Sequence, residues 1–235
     1  MAGSTLHVPC DSSPSSSPDG MPAFLATPPS GPAPGLLIIP AIFGIDPGMQ
    51  QLASDVARHG AVVLVPDPFW RTDPGVCGFD DAGFQRGIAR ARSFDVEQGK
   101  RDFSAAIAAL RARPECNGKV AALGVCFGGR FALFAAAGGE VQCGVTFHGG
   151  GLTKHLDLAP SVRCPMSMHF AGEDPSIPGA DVDAIRAAFA GHADLRIEVY
   201  EGVKHGFTHP TSPAFSATAA ARAHGDLLAR LAALA

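Results

Sequence analysis

The 235-residue sequence has no apolar run near the roughly 20 residues that a membrane-spanning helix needs. Its formal net charge is −4, and it contains no long basic run. These absences argue against a membrane partner and against a nucleic acid partner. The start of the chain also lacks the basic and apolar segments of a secretory signal. We therefore expect a cytoplasmic protein that binds neither membranes nor nucleic acid.

Cysteine is scarce and irregularly spaced, with six residues in the chain and no Cys-x-x-Cys pair. This spacing argues against a disulfide scaffold and against the commonest zinc-binding pattern. The phosphate-binding motifs Gly-x-Gly-x-x-Gly and Gly-Lys-Ser/Thr are missing as well, so dinucleotide binding is the least favoured alternative. We expect no metal and no cofactor.

The sequence does contain a regular alternation of apolar and amphipathic segments. Runs typical of buried strands lie at 35–40, 61–66, 120–125, 141–147 and 164–170, whereas 195–200 alternates as an edge strand does. Helical spacing follows most of them, at 49–59, 95–113, 181–190 and 215–234. The Pro- and Gly-containing segment 67–91 is predicted to be irregular. This order predicts an α/β fold, a mostly parallel central sheet with helices on both faces.

Residues 1–35 depart from this alternation, because 10–35 are rich in Ser, Pro and Gly. The apolar run 21–26 interrupts that composition, and Pro22 within it indicates an edge strand. We predict two short strands joined by a Ser/Pro loop, packed on a single domain that spans 1–235. A linker between two domains is the competing interpretation, but the few residues before it cannot form a domain.

The buried run at 120–125 ends in Gly-Val-Cys126-Phe-Gly-Gly and passes directly into an alanine-rich helical segment. This pattern predicts a nucleophile elbow, a sharp turn from strand to helix that exposes one reactive side chain. Gly124 and Gly128 leave room for so tight a turn. The N-terminus of the helix favours the thiolate form of Cys126, because its free N–H groups carry partial positive charge.

Two other polar residues follow predicted strands, Asp174 in Gly-Glu-Asp and His205 in Lys-His-Gly. The chain order nucleophile, acid, histidine is that of α/β-hydrolases. We therefore predict that His205 shares the proton of Cys126 and that Asp174 orients the imidazole. Glu173 is the rival acid, but adjacent side chains in an extended loop point in opposite directions, so only one of them can face His205.

Other residues near these strand ends receive more limited predictions. The backbone N–H groups of Phe127 and Ile42 are the expected oxyanion hole. His148 ends a strand at the same edge of the sheet and either lines the pocket or is a structural histidine. Arg130, just inside the helix after the elbow, is more typical of a structural ion pair than of a substrate ligand.

With these residues assembled, the chain resembles the dienelactone hydrolase family, the carboxymethylenebutenolidases, over nearly its whole length. The resemblance implies an α/β-hydrolase fold and a Cys126–His205–Asp174 triad that opens a small ester or lactone through an acyl-enzyme, without a cofactor. The segments that carry it are Ile42-Phe-Gly-Ile-Asp, Asn117-Gly-Lys-Val, Gly-Val-Cys126-Phe-Gly-Gly, Gly-Glu-Asp174 and His205-Gly-Phe.

The resemblance also implies a substrate pocket, from which this sequence departs at two positions. Arg71, which follows Trp70, matches one of two arginines that grip the substrate carboxylate in family enzymes acting on dienelactone. His209 replaces the second, and a histidine is a shorter and only partly charged anion ligand. Ala41 replaces the glutamate that partners the resting thiol. We expect Trp70, Arg71, His209 and His148 near the substrate, and we expect the loss of one carboxylate clamp to weaken the binding of anionic lactones.

A second interpretation is a non-catalytic or redox-sensing protein. Ala41 leaves the thiol without a resting carboxylate partner, and an exposed thiolate of low pKa is prone to oxidation. A redox sensor needs neither Asp174 nor His205, so the hydrolase interpretation is preferred. We expect a monomer or a weak homodimer with a small-molecule substrate as its partner.

Overall fold

The computed structural model describes residues 3–11, 13–14, 17 and 19–235. Its strands are β1 (Ser4–Val8), β2 (Met21–Ala26), β3 (Ala33–Ile39), β4 (Val62–Pro66), β5 (Cys116–Val125), β6 (Cys143–Phe147), β7 (Met166–Ala171) and β8 (Leu195–Tyr200). All eight join one sheet in the order β1-β2-β4-β3-β5-β6-β7-β8. β2 is antiparallel to both of its neighbours, and β4, β3 and β5 to β8 are parallel. The predicted mostly parallel sheet is confirmed.

The helices are α1 (Pro47–Arg58), α2 (Asp81–Arg92), α3 (Val96–Arg111), α4 (Gly129–Ala137), α5 (Gly179–Ala188) and α6 (Ala217–Ala232). Two apolar clusters cover the two faces of the sheet, one built with α3, α4 and α5 and the other with α1 and α6. Neighbouring residues of β3 alternate between them, since Leu37 lies in the first cluster and Leu36 in the second. This explains the uninterrupted apolar run, because both faces of the strand are buried. No helix in the described ranges is long and apolar enough to cross a membrane.

Two expectations from the sequence are wrong. Pro22 does not mark an edge strand, because β2 lies between β1 and β4. The carbonyl of Pro22 accepts a hydrogen bond from the N–H of Asp67, just past the end of β4, so the proline sits where that ladder stops. The segment 67–91 is not wholly irregular either, because α2 begins after Asp80, whose carboxylate accepts a hydrogen bond from the N–H of Gly83.

The carboxyl ends of the parallel strands all lie along one edge of the sheet. In open α/β sheets this is the edge at which ligands bind, because the connecting loops and the N-termini of the following helices meet there. The segments that follow β3 to β8 therefore determine what the protein can bind. All of the predicted site residues lie on these segments, with Trp70 and Arg71 after β4.

Candidate active site

Cys126 follows β5 directly and begins a single turn of 3-10 helix, Cys126–Gly128, that leads into α4. Its φ of 49° is in the left-handed region, which few residues other than glycine adopt. A Cβ on Gly124 would overlap the carbonyl oxygen of Gly128, and one on Gly128 would overlap the carbonyl oxygen of Ile39. The turn is therefore possible only because both flanking residues are glycines. This is the geometry of the predicted nucleophile elbow.

The Gly128→Ala substitution tests this packing. The added methyl group meets the backbone of β3, which cannot move aside as a flexible side chain could. We expect the free energy of unfolding to fall by about 1–3 kcal/mol, the usual cost of overpacking. Equilibrium unfolding in urea measures it. Gly225→Ala is the matched control, because Gly225 lies in α6 with open space around its Cα, and alanine there is expected to stabilise the helix slightly. Equal urea midpoints of unfolding for wild type and Gly128→Ala would contradict the close packing of Gly128 against the backbone of Ile39.

The structure brings Cys126, His205 and Asp174 together. Nε2 of His205 lies 3.1 Å from Sγ of Cys126, and Nδ1 of the same ring lies 2.6 Å from Oδ2 of Asp174. The second carboxylate oxygen of Asp174 accepts a hydrogen bond of 2.8 Å from the N–H of Ser176, which fixes the carboxylate. The rival acid, Glu173, is exposed, whereas Asp174 is buried. The three side chains thus form one chain of polar contacts from sulfur to carboxylate.

The protonation of His205 follows from its neighbours. Burial alone would lower the pKa of this imidazole, but the hydrogen bonds with Asp174 and Cys126 outweigh burial and raise the pKa of His205 to about 10. The ring therefore carries a proton at neutral pH while it lies against the sulfur. A cationic imidazole in that position stabilises negative charge on the sulfur.

Cys126 and His205 lie on the wall of a cavity of about 410 Å³. Most of the wall is apolar and comes from the ends of different strands and the segments that follow them, with Ala41, Phe43, Phe79, Phe84, Val125 and Pro175 among its residues. The charged groups on it besides the histidines are Asp80, Asp81 and Lys204. No arginine lines this cavity in the part of the chain that the structure describes.

Two further histidines of the sequence line the same cavity. His148 is 2% exposed, and its Nε2 lies 3.1 Å from Oγ1 of Thr208. His209 is buried too, with Nε2 2.9 Å and 3.0 Å from the two carboxylate oxygens of Asp46, the residue that caps α1. Nδ1 of His209 lies 3.0 Å from Oγ1 of Thr211. Both ring nitrogens of His209 are thus occupied by partners within the chain.

Trp70 and Arg71, the other residues expected near the substrate, are not among the residues that line this cavity. The guanidinium of Arg71 donates to both carboxylate oxygens of Asp102 on α3, each at 2.8 Å. The indole N–H of Trp70 donates to the same carboxylate at 2.9 Å. The expectation that Trp70 and Arg71 lie near the substrate is therefore corrected. Both side chains bind the carboxylate of Asp102, and the substrate was expected to supply that carboxylate.

The two peptides proposed for the oxyanion hole are held in different ways. Ile42 lies between Ala41 and Phe43 of the cavity wall, and its carbonyl accepts hydrogen bonds from Nε and Nη2 of Arg90, at 2.9 Å and 2.5 Å. Arg90 is 2% exposed and donates to the backbone carbonyls of Ile42, Asp73 and Gly75. Burial lowers the pKa of its guanidinium. The ring of Phe127 packs against other phenylalanines of the core. Sequence reasoning missed Arg90, because it lies in the segment predicted to be irregular.

Arg130 does not form the predicted ion pair with any residue that the structure describes. Its guanidinium lies over the rings of Phe127 and Phe131, 4.8 Å and 5.0 Å from their centroids. The arginine therefore packs on the aromatic cluster behind the elbow, an arrangement typical of cation–π contacts.

A mostly parallel sheet with a nucleophile elbow, and with a histidine and an acid on the following strand ends, defines an α/β-hydrolase. The model of the dienelactone hydrolase family matches residues 21–234. The chain is 33% identical over 204 residues to a carboxymethylenebutenolidase of Pseudomonas putida, covering 86% of each protein. It belongs to the dienelactone hydrolase family, and it is a carboxylic ester hydrolase.

Solved structures agree with the fold. A putative dienelactone hydrolase from Klebsiella pneumoniae aligns with a TM-score of 0.80 at 20% identity, covering 98% of both chains. A dienelactone hydrolase-like promiscuous phosphotriesterase from metagenomic libraries aligns with a TM-score of 0.79 at 28% identity, covering 98% of this chain and 99% of the other. The α/β-hydrolase fold predicted from the sequence is confirmed.

Proposed function

We propose that the protein hydrolyses small esters and lactones through an acyl-enzyme on Cys126, with His205 as acid and base and Asp174 as the group that orients it. The continuous contact from Sγ of Cys126 through the imidazole to the carboxylate of Asp174, on the wall of a cavity, is the observation that carries this proposal. The name of the Pseudomonas putida relative, carboxymethylenebutenolidase, supports a lactone-opening reaction.

The proposed reaction has two halves. The thiolate of Cys126 attacks the carbonyl carbon, and the N–H groups of Phe127 and Ile42 donate to the oxygen that becomes negative. His205 then gives its proton to the leaving oxygen, which leaves a thioester on Cys126. In the second half the neutral imidazole takes a proton from water, and the resulting hydroxide attacks the thioester. The acid is released, and the thiolate and the protonated imidazole are restored.

The charges near the cavity favour substrates without a carboxylate. Arg71 is bound to Asp102, and His209 is bound to Asp46, so neither is free to clamp an anion. The wall itself carries two aspartates, Asp80 and Asp81, against one lysine, Lys204, so its charged side chains would on balance repel one. We therefore propose neutral esters and lactones with an apolar body as the substrate class.

A kinetic panel tests the substrate class. An aryl ester such as p-nitrophenyl acetate, a neutral lactone and a carboxylated lactone of similar size are compared by kcat/KM. We expect the neutral substrates to be favoured at least tenfold, because a missing charged hydrogen bond costs about 1.5–3 kcal/mol. The Asp81→Asn variant should reduce the ratio of kcat/KM between neutral and carboxylated substrates, since it removes one negative charge from the wall. A strong preference of the wild type for the carboxylated lactone would contradict the proposal.

The competing redox-sensing role makes a different prediction for the same protein. A sensor thiol would react with iodoacetamide at pH about 6, where a thiol of ordinary pKa reacts little, without any ester being turned over. Turnover of any substrate in the panel that is lost on alkylation of Cys126 excludes a purely sensory role. A single domain over 1–235, a cytoplasmic location and a monomeric or weakly dimeric state stay predictions from the sequence.

A further inference from the structure

A third side chain that can bind a metal ion, that of His148, lies beside Cys126 and His205 on the cavity wall. Metal-ligating atoms of Cys126, His148 and His205 all lie within 4.8 Å of one another. The rings of the two histidines have their centroids 4.6 Å apart. The hydrolytic mechanism proposed above uses Cys126 and His205 and assigns no step to His148. The position of His148 therefore needs a separate explanation.

One ring nitrogen of each histidine is engaged by a group outside the set Cys126, His148 and His205, which leaves the other ring nitrogen for a metal. Nδ1 of His205 is engaged by the carboxylate of Asp174 at 2.6 Å, and Nε2 of His148 by the hydroxyl of Thr208 at 3.1 Å. Histidines that bind metals almost always engage their other nitrogen in this way, which fixes the orientation of the ring. The outer contacts of a two-histidine metal site are thus already present.

His148 has a second property that points to a ligand. His148 is only 2% exposed, and its buried Nδ1 has no hydrogen-bond partner among the residues that the structure describes. A buried nitrogen without a partner is unusual in native proteins, and it calls for a ligand or an ordered water. His148 also has a φ of 39°, a left-handed conformation that few residues other than glycine adopt. Backbone strain of this kind is concentrated at functional sites.

We propose that Cys126, His148 and His205 bind a zinc ion on the wall of the cavity and that this ion inhibits the enzyme. One thiolate and two imidazoles are ligands that zinc prefers, and the absence of a carboxylate from the set disfavours magnesium and calcium. Water would supply the fourth ligand. Metal binding does not depend on the proposed hydrolysis, whereas the inhibition does, because zinc would occupy the nucleophile and its base.

The geometry requires only a small rearrangement. Ligand atoms around tetrahedral zinc lie roughly 3.3–3.7 Å apart, given bond lengths of about 2.0–2.3 Å. Sγ of Cys126 and Nε2 of His205 are already 3.1 Å apart, and the 4.8 Å limit on the full set leaves a movement on the order of 1 Å. Coordination expels the proton that Cys126 and His205 share, so one proton leaves for each zinc that binds.

Titration calorimetry with zinc chloride tests the site directly. We expect one zinc per wild-type chain, and we expect the His148→Asn variant to bind it at least tenfold more weakly. Asparagine suits this variant because it tolerates left-handed backbone better than most residues other than glycine. The matched control is His59→Asn, an exposed histidine at the end of α1, which should bind zinc as the wild type does. Absence of zinc binding by the wild type, or equal affinity of His148→Asn and wild type, overturns the proposal.

A second measurement does not depend on whether the His148 variant folds. Cobalt(II) added to wild type should give the absorption of a tetrahedral thiolate complex, and the Cys126→Ser variant should lose its sulfur-to-metal band. A wild-type spectrum without that band also overturns the site. Hydrolysis assays with zinc separate the two proposals. Zinc binding by a protein that turns over no ester would support the metal site and contradict the proposed hydrolysis. Ester turnover that saturating zinc does not change would contradict the proposed inhibition.

Discussion

The Cys126→Ala protein is expected to hydrolyse p-nitrophenyl acetate with a kcat at least about 10⁴-fold below that of the wild type. The alanine removes the atom that attacks the carbonyl carbon, and removal of a nucleophile costs a factor of this order in other triad hydrolases. Initial rates under saturating substrate measure the effect. Circular dichroism should show that the fold is kept, since an alanine fits the turn at least as easily as the cysteine.

Cys164→Ala is the matched control for this substitution. Cys164 is a free, half-buried cysteine that precedes β7 and does not line the cavity. Its replacement removes one thiol from the chain without touching the candidate site, so activity should stay within about twofold of the wild type. Full activity of Cys126→Ala would show that another group performs the attack, and the assignment of the nucleophile would then be wrong.

The second large effect is expected at the acid. Asp174→Asn should lower kcat by about 10²–10⁴-fold, because an amide keeps the size of the carboxylate but loses the charge that stabilises the protonated ring of His205. The pKa of His205 should fall in this variant, since the hydrogen bond with Asp174 is one of the contacts that raise it. The pH dependence of kcat and NMR titration of the imidazole measure the two consequences separately.

Glu173 provides an internal control for this prediction. It is adjacent to Asp174 but exposed, whereas the carboxylate of Asp174 is the one that contacts the imidazole. The Glu173→Gln variant removes the same charge from the same loop and should leave kcat nearly unchanged. Similar losses in the two variants would mean that the net charge of the loop matters and that contact with His205 does not.

The sequence predicts the parts of this protein that depend on local pattern. The apolar runs of β3 and β5 are continuous because both faces of each strand are covered. The turn after β5 requires Gly124 and Gly128. Strand, elbow and helix can therefore be recognised from residues that are adjacent in the sequence. The order of Cys126, Asp174 and His205 along the chain placed three distant residues at one edge of the sheet, because the carboxyl ends of parallel strands meet there.

The sequence does not predict contacts that depend on which side chains meet across the fold. The family resemblance assigns Arg71 to a substrate carboxylate, but 31 residues further along the chain Asp102 supplies one from α3. α2 was missed because only Gly87 and Arg90 of that helix are buried, which leaves no apolar stripe in its sequence. The contacts of Arg90 could not be predicted either. Its partners are backbone carbonyls, which every residue carries, so the residue types in the sequence do not indicate them.

The left-handed backbone at Cys126 and His148 has a consequence for the evolution of this enzyme. The two residues end neighbouring strands, β5 and β6, and they are the only residues other than glycine with a positive φ in the described part of the chain. Such conformations cost on the order of 1–3 kcal/mol each, so selection for stability alone would place glycine at both positions. Their retention would mean that chemistry at this edge of the sheet has been kept at the expense of a more stable fold.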